Sequence, residues 1–271
     1  MIQFTSGEMT TWIAALLWPL TRILGLIAAS PLFGNTAVPV SVKVSFGVVL
    51  AAIMAPAIGA FPAVDPMSMA GMLILVQELL IGLAMGFTMR IVFAAIEMAG
   101  EVSSLTMGLG FASFFDPNTA GRSSAVSQML TLIATMAFLA MNAHLVLLET
   151  LAESFISMPI SATPMSSGAP LELARWGARI FSAGLQLSLP IVAALLITNV
   201  ALGILTRAAP QLNIFGIGFP VSLGVGLLVI SLALPYLGTP ILNLFNQGIE
   251  AARTLPRAGA ARTPAPQQQP R

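Results

Sequence analysis

The sequence has no cysteine, a single histidine and few charged side chains, and each shortage excludes a class of function. Without cysteine there are no disulfides, thiolate nucleophiles or cysteine metal sites, and one histidine, His144, cannot form a histidine cluster. Lys and Arg total 11 against 10 Asp and Glu, which is not the basic excess of a nucleic-acid-binding protein. The motifs G-x-x-x-x-G-K-S/T, H-E-x-x-H and G-x-S-x-G are also missing. We therefore expect no enzyme, metal, cofactor or nucleic-acid partner.

What remains is the composition of an integral membrane protein. Hydrophobic residues make up 57% of the chain and charged residues 8%, against roughly 45–50% and 25% in soluble domains. The apolar stretches run from end to end, which predicts a single all-α membrane-embedded unit at residues 1–255. Residues 256–271 are Pro, Ala, Arg, Gln, Gly and Thr with almost nothing to bury, and we expect a disordered tail there.

About six apolar segments approach the roughly 20 residues that cross a bilayer. We expect helices at residues 12–29, 42–60, 67–102, 124–148, 180–205 and 221–237, followed by a short helix at 240–254. Between the last two long segments, Pro210 is expected to end a helix, and Gly216 and Gly218 to permit a tight return before Pro220. Lys and Arg are too sparse to indicate an orientation in the membrane.

Three ionisable residues of the third segment are predicted to share one helical stripe. Steps of seven and eleven residues bring Arg90, Glu97 and Glu101 within roughly 20° of each other. We interpret them as a buried charge cluster, which is either an ion pair that pins helix packing or a proton or ion relay. Glu78 lies about 120° away from Arg90 and needs a partner from another segment, for which Arg22 is a candidate.

Glycine and phenylalanine mark two further features. Gly82 and Gly86 form a small-xxx-small pair, which predicts a close contact between helices. The connection at residues 106–122 is rich in Gly and Phe, and its apolar side chains must be buried in protein or line a cavity. A hydrophobic constriction and ordinary loop packing both remain open.

Four motifs in order resemble one family over nearly the whole chain apart from the tail. They are LTRILGLIAASPLFG at 20–34 with Val-Pro-Val at 38–40, FFDP at 114–117, NAHLVLLETLAESF at 142–155 and RAAPQLNIFGIGFP at 207–220. They are similar to the FliR/SctT family, the export-gate subunits of flagellar and virulence type III secretion systems. The overall likeness favours the flagellar system.

The resemblance implies a fold and a set of partners. The chain would resemble a FliP-like part followed by a FliQ-like helical hairpin, with one copy assembling with several FliP-like and FliQ-like subunits. Unfolded flagellar proteins would pass through this gate, with FlhA- and FlhB-like components nearby. The location would be the bacterial inner membrane, multi-pass, in the flagellar basal body. The alternative is a small-solute secondary transporter that uses the stripe of Arg90, Glu97 and Glu101.

The resemblance also implies roles for two segments. In the family, the glycine- and phenylalanine-rich connection is a plug in the closed channel, which corresponds here to Met107, Gly108, Gly110, Phe111, Phe114, Phe115 and Asp116. The segment at 207–220 would form the bend of the FliQ-like hairpin and contact neighbouring subunits through Pro210, Gln211, Asn213, Phe215 and Gly218.

Overall fold

The structure is a computed structural model that describes residues 6–58, 61–62, 64–111, 123–161, 168–209 and 214–259. These residues contain no strand, which confirms the predicted all-α class for this part of the chain. The helices are α1 (Ser6–Ala29), α2 (Val40–Ile58), α3 (Met69–Thr106), α4 (Ala125–Ala140), α5 (Ala143–Ser157), α6 (Gly168–Gly177), α7 (Arg179–Ala208) and α8 (Ile214–Gly259), with a 3-10 turn at Leu109–Phe111.

The single fourth helix predicted at residues 124–148 is wrong. The chain forms α4 and α5 instead, bent by 65° at a short break. The break lies at Met141 and Asn142, and Asn142 adopts a φ of 55°. This left-handed conformation is costly for most side chains, but Asn adopts it more readily than most residues. One asparagine therefore redirects an otherwise continuous apolar segment.

The two helices predicted at 221–237 and 240–254 are also wrong, because α8 runs through both. Pro235 and Pro240 lie inside it, as do Gly216 and Gly218, where we had expected a tight return. Glycine permits a turn without requiring one, and apolar surroundings favour a backbone that satisfies its own hydrogen bonds. With 46 residues, α8 is roughly 69 Å long, more than twice a hydrocarbon core of about 30 Å.

Fewer helices could cross a membrane than the sequence predicted. Among the described residues, three are long and apolar enough: Met69–Thr106, Gly168–Ala208 and Gly218–Pro256. The bent pair α4 and α5 adds a fourth if it counts as one span. The apolar parts of α1 and α2, Ala14–Ala29 and Val40–Pro56, are shorter. The expected six is not confirmed, since three helices, or four with the bent pair, pass this test of length and composition in the described part of the chain.

The described residues group into two compact units. The first consists of the described residues within 1–90, 144–176 and 248–259, and the second of those within 91–143 and 177–247. The predicted boundary at residue 255 stays a prediction, since α8 ends at Gly259 and residues 260–271 lie outside the described part.

In the first unit, glycines let α1 approach α3 closely. A Cβ placed on Gly82 would overlap the carbonyl oxygen of Arg22, and one on Gly86 would lie 2.6 Å from the carbonyl oxygen of Leu26. Gly25 does the same from α1, since its Cβ would lie 2.7 Å from the carbonyl oxygen of Leu79. The close helix contact predicted from Gly82 and Gly86 is confirmed.

In the second unit, three phenylalanines join α3, α4 and α8. The ring centroids lie 5.8 Å apart for Phe93 and Phe138, 5.5 Å for Phe93 and Phe245, and 5.2 Å for Phe138 and Phe245. These distances fall within the range of favourable aromatic pairs. The cluster places α3 beside α4, which also make hydrogen bonds to each other near the start of α4.

Candidate functional sites: a buried ion pair and an anchored connection

A fully buried ion pair lies between α1 and α3 in the first unit. Arg22 Nε donates to Glu78 Oε2 at 2.7 Å, and Nη2 donates to Oε1 at 2.9 Å. Both side chains are 0% exposed. This two-point geometry is the strongest form of an arginine–carboxylate contact. The candidate pairing of Glu78 with Arg22 is thereby confirmed.

The same guanidinium also holds the end of α5. Arg22 Nη1 donates to Ser154 Oγ at 3.1 Å, and Nη2 donates to the Met158 carbonyl oxygen at 3.0 Å. The guanidinium carbon lies 4.3 Å from the ring centroid of Phe155. A cation at a helix C-terminus is favourable because the carbonyl groups there carry partial negative charge. One arginine therefore joins α1, α3 and α5, and neither charged partner is open to a solute.

The predicted stripe of Arg90, Glu97 and Glu101 is not buried by the chain alone. Arg90 and Glu97 are exposed and Glu101 is half-buried. The ion pairs among the described residues include Arg22–Glu78, Arg175–Glu172 and Arg253–Glu153, and Arg90 pairs with neither glutamate of its stripe. The buried charge cluster stays a prediction.

The two glutamates of the stripe instead contact the start of α4. Ser123 Oγ donates to Glu97 Oε1 at 2.6 Å, and the backbone N–H of Ser124 donates to Glu101 Oε1 at 2.7 Å. Ser127 Oγ donates to the Glu97 carbonyl oxygen at 2.9 Å. Sequence reasoning missed these contacts, although serines just before an apolar run are a helix-start signal.

The connection predicted to be a plug begins at a buried methionine. Met107 is 0% exposed, and a Cβ placed on Gly226 of α8 would lie 2.5 Å from Met107 Cγ. Gly108 follows with a φ of 86°, which glycine adopts without strain, and it turns the chain out of α3 into the 3-10 turn that includes Gly110 and the backbone of Phe111. Outside the described residues lie Phe114, Phe115, Asp116 and the side chain of Phe111.

The predicted partner-contact segment is described only in part. Gly218 and the backbone of Phe215 belong to α8, while Pro210, Gln211 and Asn213 lie outside the described residues. Sequence reasoning missed a nearby polar contact, since Ser222 Oγ donates to Asn199 Oδ1 at 3.1 Å and links α8 to α7. In the part of the chain that is described, no three His, Asp or Glu side chains form a metal-binding group.

Comparison with known proteins adds the family. A family model described as bacterial export proteins, family 1, matches residues 13–248. A flagellar biosynthetic protein FliR from Pectobacterium carotovorum is 42% identical over 91% of this chain and 94% of its own length. The chain belongs to the FliR family.

Other FliR-family relatives give the same result. The flagellar biosynthetic protein FliR of Escherichia coli strain K12 is 38% identical over 91% of this chain and 94% of its own length. The protein of the same name from Bacillus subtilis is 30% identical over 86% of this chain and 91% of its own length. The range that matches the family contains Arg22 and Glu78 of the buried ion pair and the residues at both ends of the connection. These findings do not support the small-solute transporter.

Proposed function

We propose that the chain is a subunit of the flagellar type III protein export gate. It forms, with FliP-like and FliQ-like subunits, the channel through which unfolded flagellar proteins cross the bacterial inner membrane at the basal body. The observation that carries this proposal is the match to flagellar FliR proteins over 91% of the chain. The role needs no covalent chemistry, because the chain supplies a path and a framework.

The uneven burial of the long helices fits a chain whose apolar faces are covered by a membrane and by other subunits. The most apolar 18-residue stretch of α3 is 61% buried, whereas that of Gly168–Ala208 is only 11% buried. The exposed large apolar side chains of α7 are Phe181, Leu185, Leu189, Leu196, Ile197, Val200, Ile204 and Leu205. A continuous apolar surface of this kind is covered by lipid or by other subunits. In the proposed gate, FliP-like and FliQ-like subunits cover part of it.

The length of α8 supports the same proposal. At roughly 69 Å, the helix extends beyond the hydrocarbon core, and its C-terminal half exposes polar side chains, among them Asn243, Asn246 and Glu250. A lipid-embedded helix would not leave such groups without partners. Part of α8 therefore lies outside the bilayer, where one copy of the chain meets its sister subunits and FlhA- and FlhB-like components.

We assign the plug of this gate to the connection after α3. The assignment rests on the family resemblance of Met107, Gly108, Gly110, Phe111, Phe114, Phe115 and Asp116. Two observations support it, because Met107 is buried at one end of the connection and hydrogen bonds fix Ser123 and Ser124 at the other. A plug needs fixed ends to return to the same place after each substrate.

Purification tests the assembly. When the chain carries an affinity tag and is expressed with its FliP-like and FliQ-like neighbours, we expect a complex with one copy of the chain and several copies of each partner. Native mass spectrometry measures the copy numbers. A chain that purifies alone or as a symmetric homo-oligomer, while the partners are present in the same membranes, would contradict the proposal.

A further inference from the structure

We propose that Glu97 and Glu101 act as positioning residues that dock the first turn of α4 onto α3. They do so as hydrogen-bond acceptors, and neither carries protons through the membrane. The inference rests on the proposed function for its effect on export, but its effect on α4 is independent of that function.

The docking contacts come from the two carboxylates and one backbone carbonyl of α3, and together they involve three serines. Glu97 accepts from Ser123 Oγ at 2.6 Å through its carboxylate and from Ser127 Oγ at 2.9 Å through its backbone carbonyl. Glu101 accepts from the Ser124 N–H at 2.7 Å. Hydrogen bonds to a charged acceptor are shorter and stronger than neutral ones. Two turns of α3 thus hold the three serines from which α4 begins.

The start of α4 is ordered further by contacts of its own. Ser124 caps the helix, since its side chain accepts from the Ser127 N–H at 3.2 Å, and Gln128 Nε2 donates to the Ser123 carbonyl oxygen at 2.7 Å. Gly100 makes room for the close approach, because a Cβ there would overlap Cα of Ser127. The position of α4 therefore depends on α3 through both hydrogen bonds and shape.

Electrostatics favour carboxylates at this place. The first N–H groups of a helix have no partner within the helix and carry partial positive charge. Glu101 accepts directly from one N–H at the start of α4, and Glu97 lies one turn earlier on α3. Both charges therefore stabilise the helix start without a cation from the stripe. Arg90 is accordingly exposed and forms no ion pair with either glutamate.

Glutamine and alanine substitutions separate docking from a relay. A glutamine keeps an oxygen that accepts from Ser123 or Ser124 but cannot carry a proton, whereas alanine removes the acceptor. We would compare the double variant E97Q/E101Q with E97A/E101A in the full export-gate complex. Glu172→Ala is the matched control, since it removes a carboxylate whose pair with Arg175 is exposed.

Hydrogen exchange at the amides of Ser124, Ser127 and Gln128, whose N–H groups are hydrogen-bonded at the docked helix start, reports docking, and secretion of flagellar proteins reports export. We expect E97A/E101A to exchange about ten- to a hundredfold faster there, the effect of losing hydrogen bonds to charged groups, and to export less. E97Q/E101Q and Glu172→Ala should keep at least half of wild-type export. Gly100→Ala, which leaves both carboxylates in place, should accelerate the same amides.

Each other outcome overturns a defined part of the inference. Unchanged exchange in both E97A/E101A and Gly100→Ala would refute the docking. Normal exchange with no export in E97Q/E101Q would leave the docking intact and refute the claim that neither carboxylate carries protons. Faster exchange with full export would refute the role in export. If the wild-type chain does not join a gate complex at all, the proposed function fails, while exchange at α4 still decides the docking.

Discussion

The buried pair of Arg22 and Glu78 gives the sharpest prediction about stability. Breaking a buried ion pair by removing one partner costs about 3–5 kcal/mol, because the remaining charge is left without compensation. Glu78→Met leaves Arg22 with Ser154, the Met158 carbonyl and the Phe155 ring, none of which carries a full negative charge. We therefore expect Glu78→Met alone to destabilise the chain by about 3–5 kcal/mol.

Replacing both partners by methionine should restore about half of this loss. The double variant leaves no buried charge, and well-packed apolar replacements of buried ion pairs are often neutral or better. Ser154 Oγ keeps its own bond to the Leu151 carbonyl oxygen at 2.6 Å, but the Met158 carbonyl loses its arginine donor. One unpaired buried carbonyl costs about 1–3 kcal/mol. The double variant should therefore lie about 1–3 kcal/mol below wild type.

Thermal unfolding of the detergent-solubilised complex measures these differences. For a chain of this size, 1 kcal/mol corresponds to about 2–4 °C, so Glu78→Met should lower the midpoint by about 6–20 °C and the double variant by about 2–12 °C. The control is Arg175→Met with Glu172→Met, whose partners are 66% and 53% exposed, and its effect should stay below about 1 kcal/mol. A double variant that loses the sum of the two single losses would refute the coupling.

Two further changes probe the close contacts. Gly82→Ala should prevent the chain from accumulating, because its Cβ would overlap the Arg22 backbone. The control Gly224→Ala, with nothing within 4 Å of its Cβ, should accumulate normally. Immunoblotting of membranes measures both levels, and equal levels would contradict the packing of α1 against α3. Met107→Cys with Gly226→Cys should form a disulfide under mild oxidation, because a Cβ on Gly226 lies 2.5 Å from Met107 Cγ. The chain has no other cysteine that could compete. Absence of cross-linking in assembled gates would show that the start of the connection lies elsewhere.

The apolar pattern of the sequence predicted the first three helices well. The first three segments were expected at 12–29, 42–60 and 67–102, and the structure has Ser6–Ala29, Val40–Ile58 and Met69–Thr106. The break at Asn142 was missed because the residues on both sides continue the apolar pattern. The break predicted between residues 237 and 240 does not occur, since proline is tolerated where surrounding helices hold the backbone.

Pairings between segments were harder to predict than helices. Glu78 was recognised as a charge in need of a partner, but periodicity within one helix cannot say which of several distant residues faces it. Arg90 pairs with neither Glu97 nor Glu101 within the chain, which periodicity alone could not reveal. Spacing places side chains on one face of a helix and leaves open what lies opposite, which here is the start of α4.

Function followed from the family rather than from the geometry. No arrangement of side chains among the described residues is specific to protein export. The exposed apolar faces of α7 and α8 could be covered by lipid or by other subunits. The ordered motifs between residues 20 and 220 carried the resemblance, and the match at 13–248 established the family.

The central claim is that this chain forms part of a protein-conducting channel closed by the connection after α3. The most direct test deletes residues 108–115 and measures ion leakage across membranes that contain the complete gate. We expect leakage well above that of the wild-type gate, with the complex still assembled. An intact complex that remains as tight as wild type would contradict the claim.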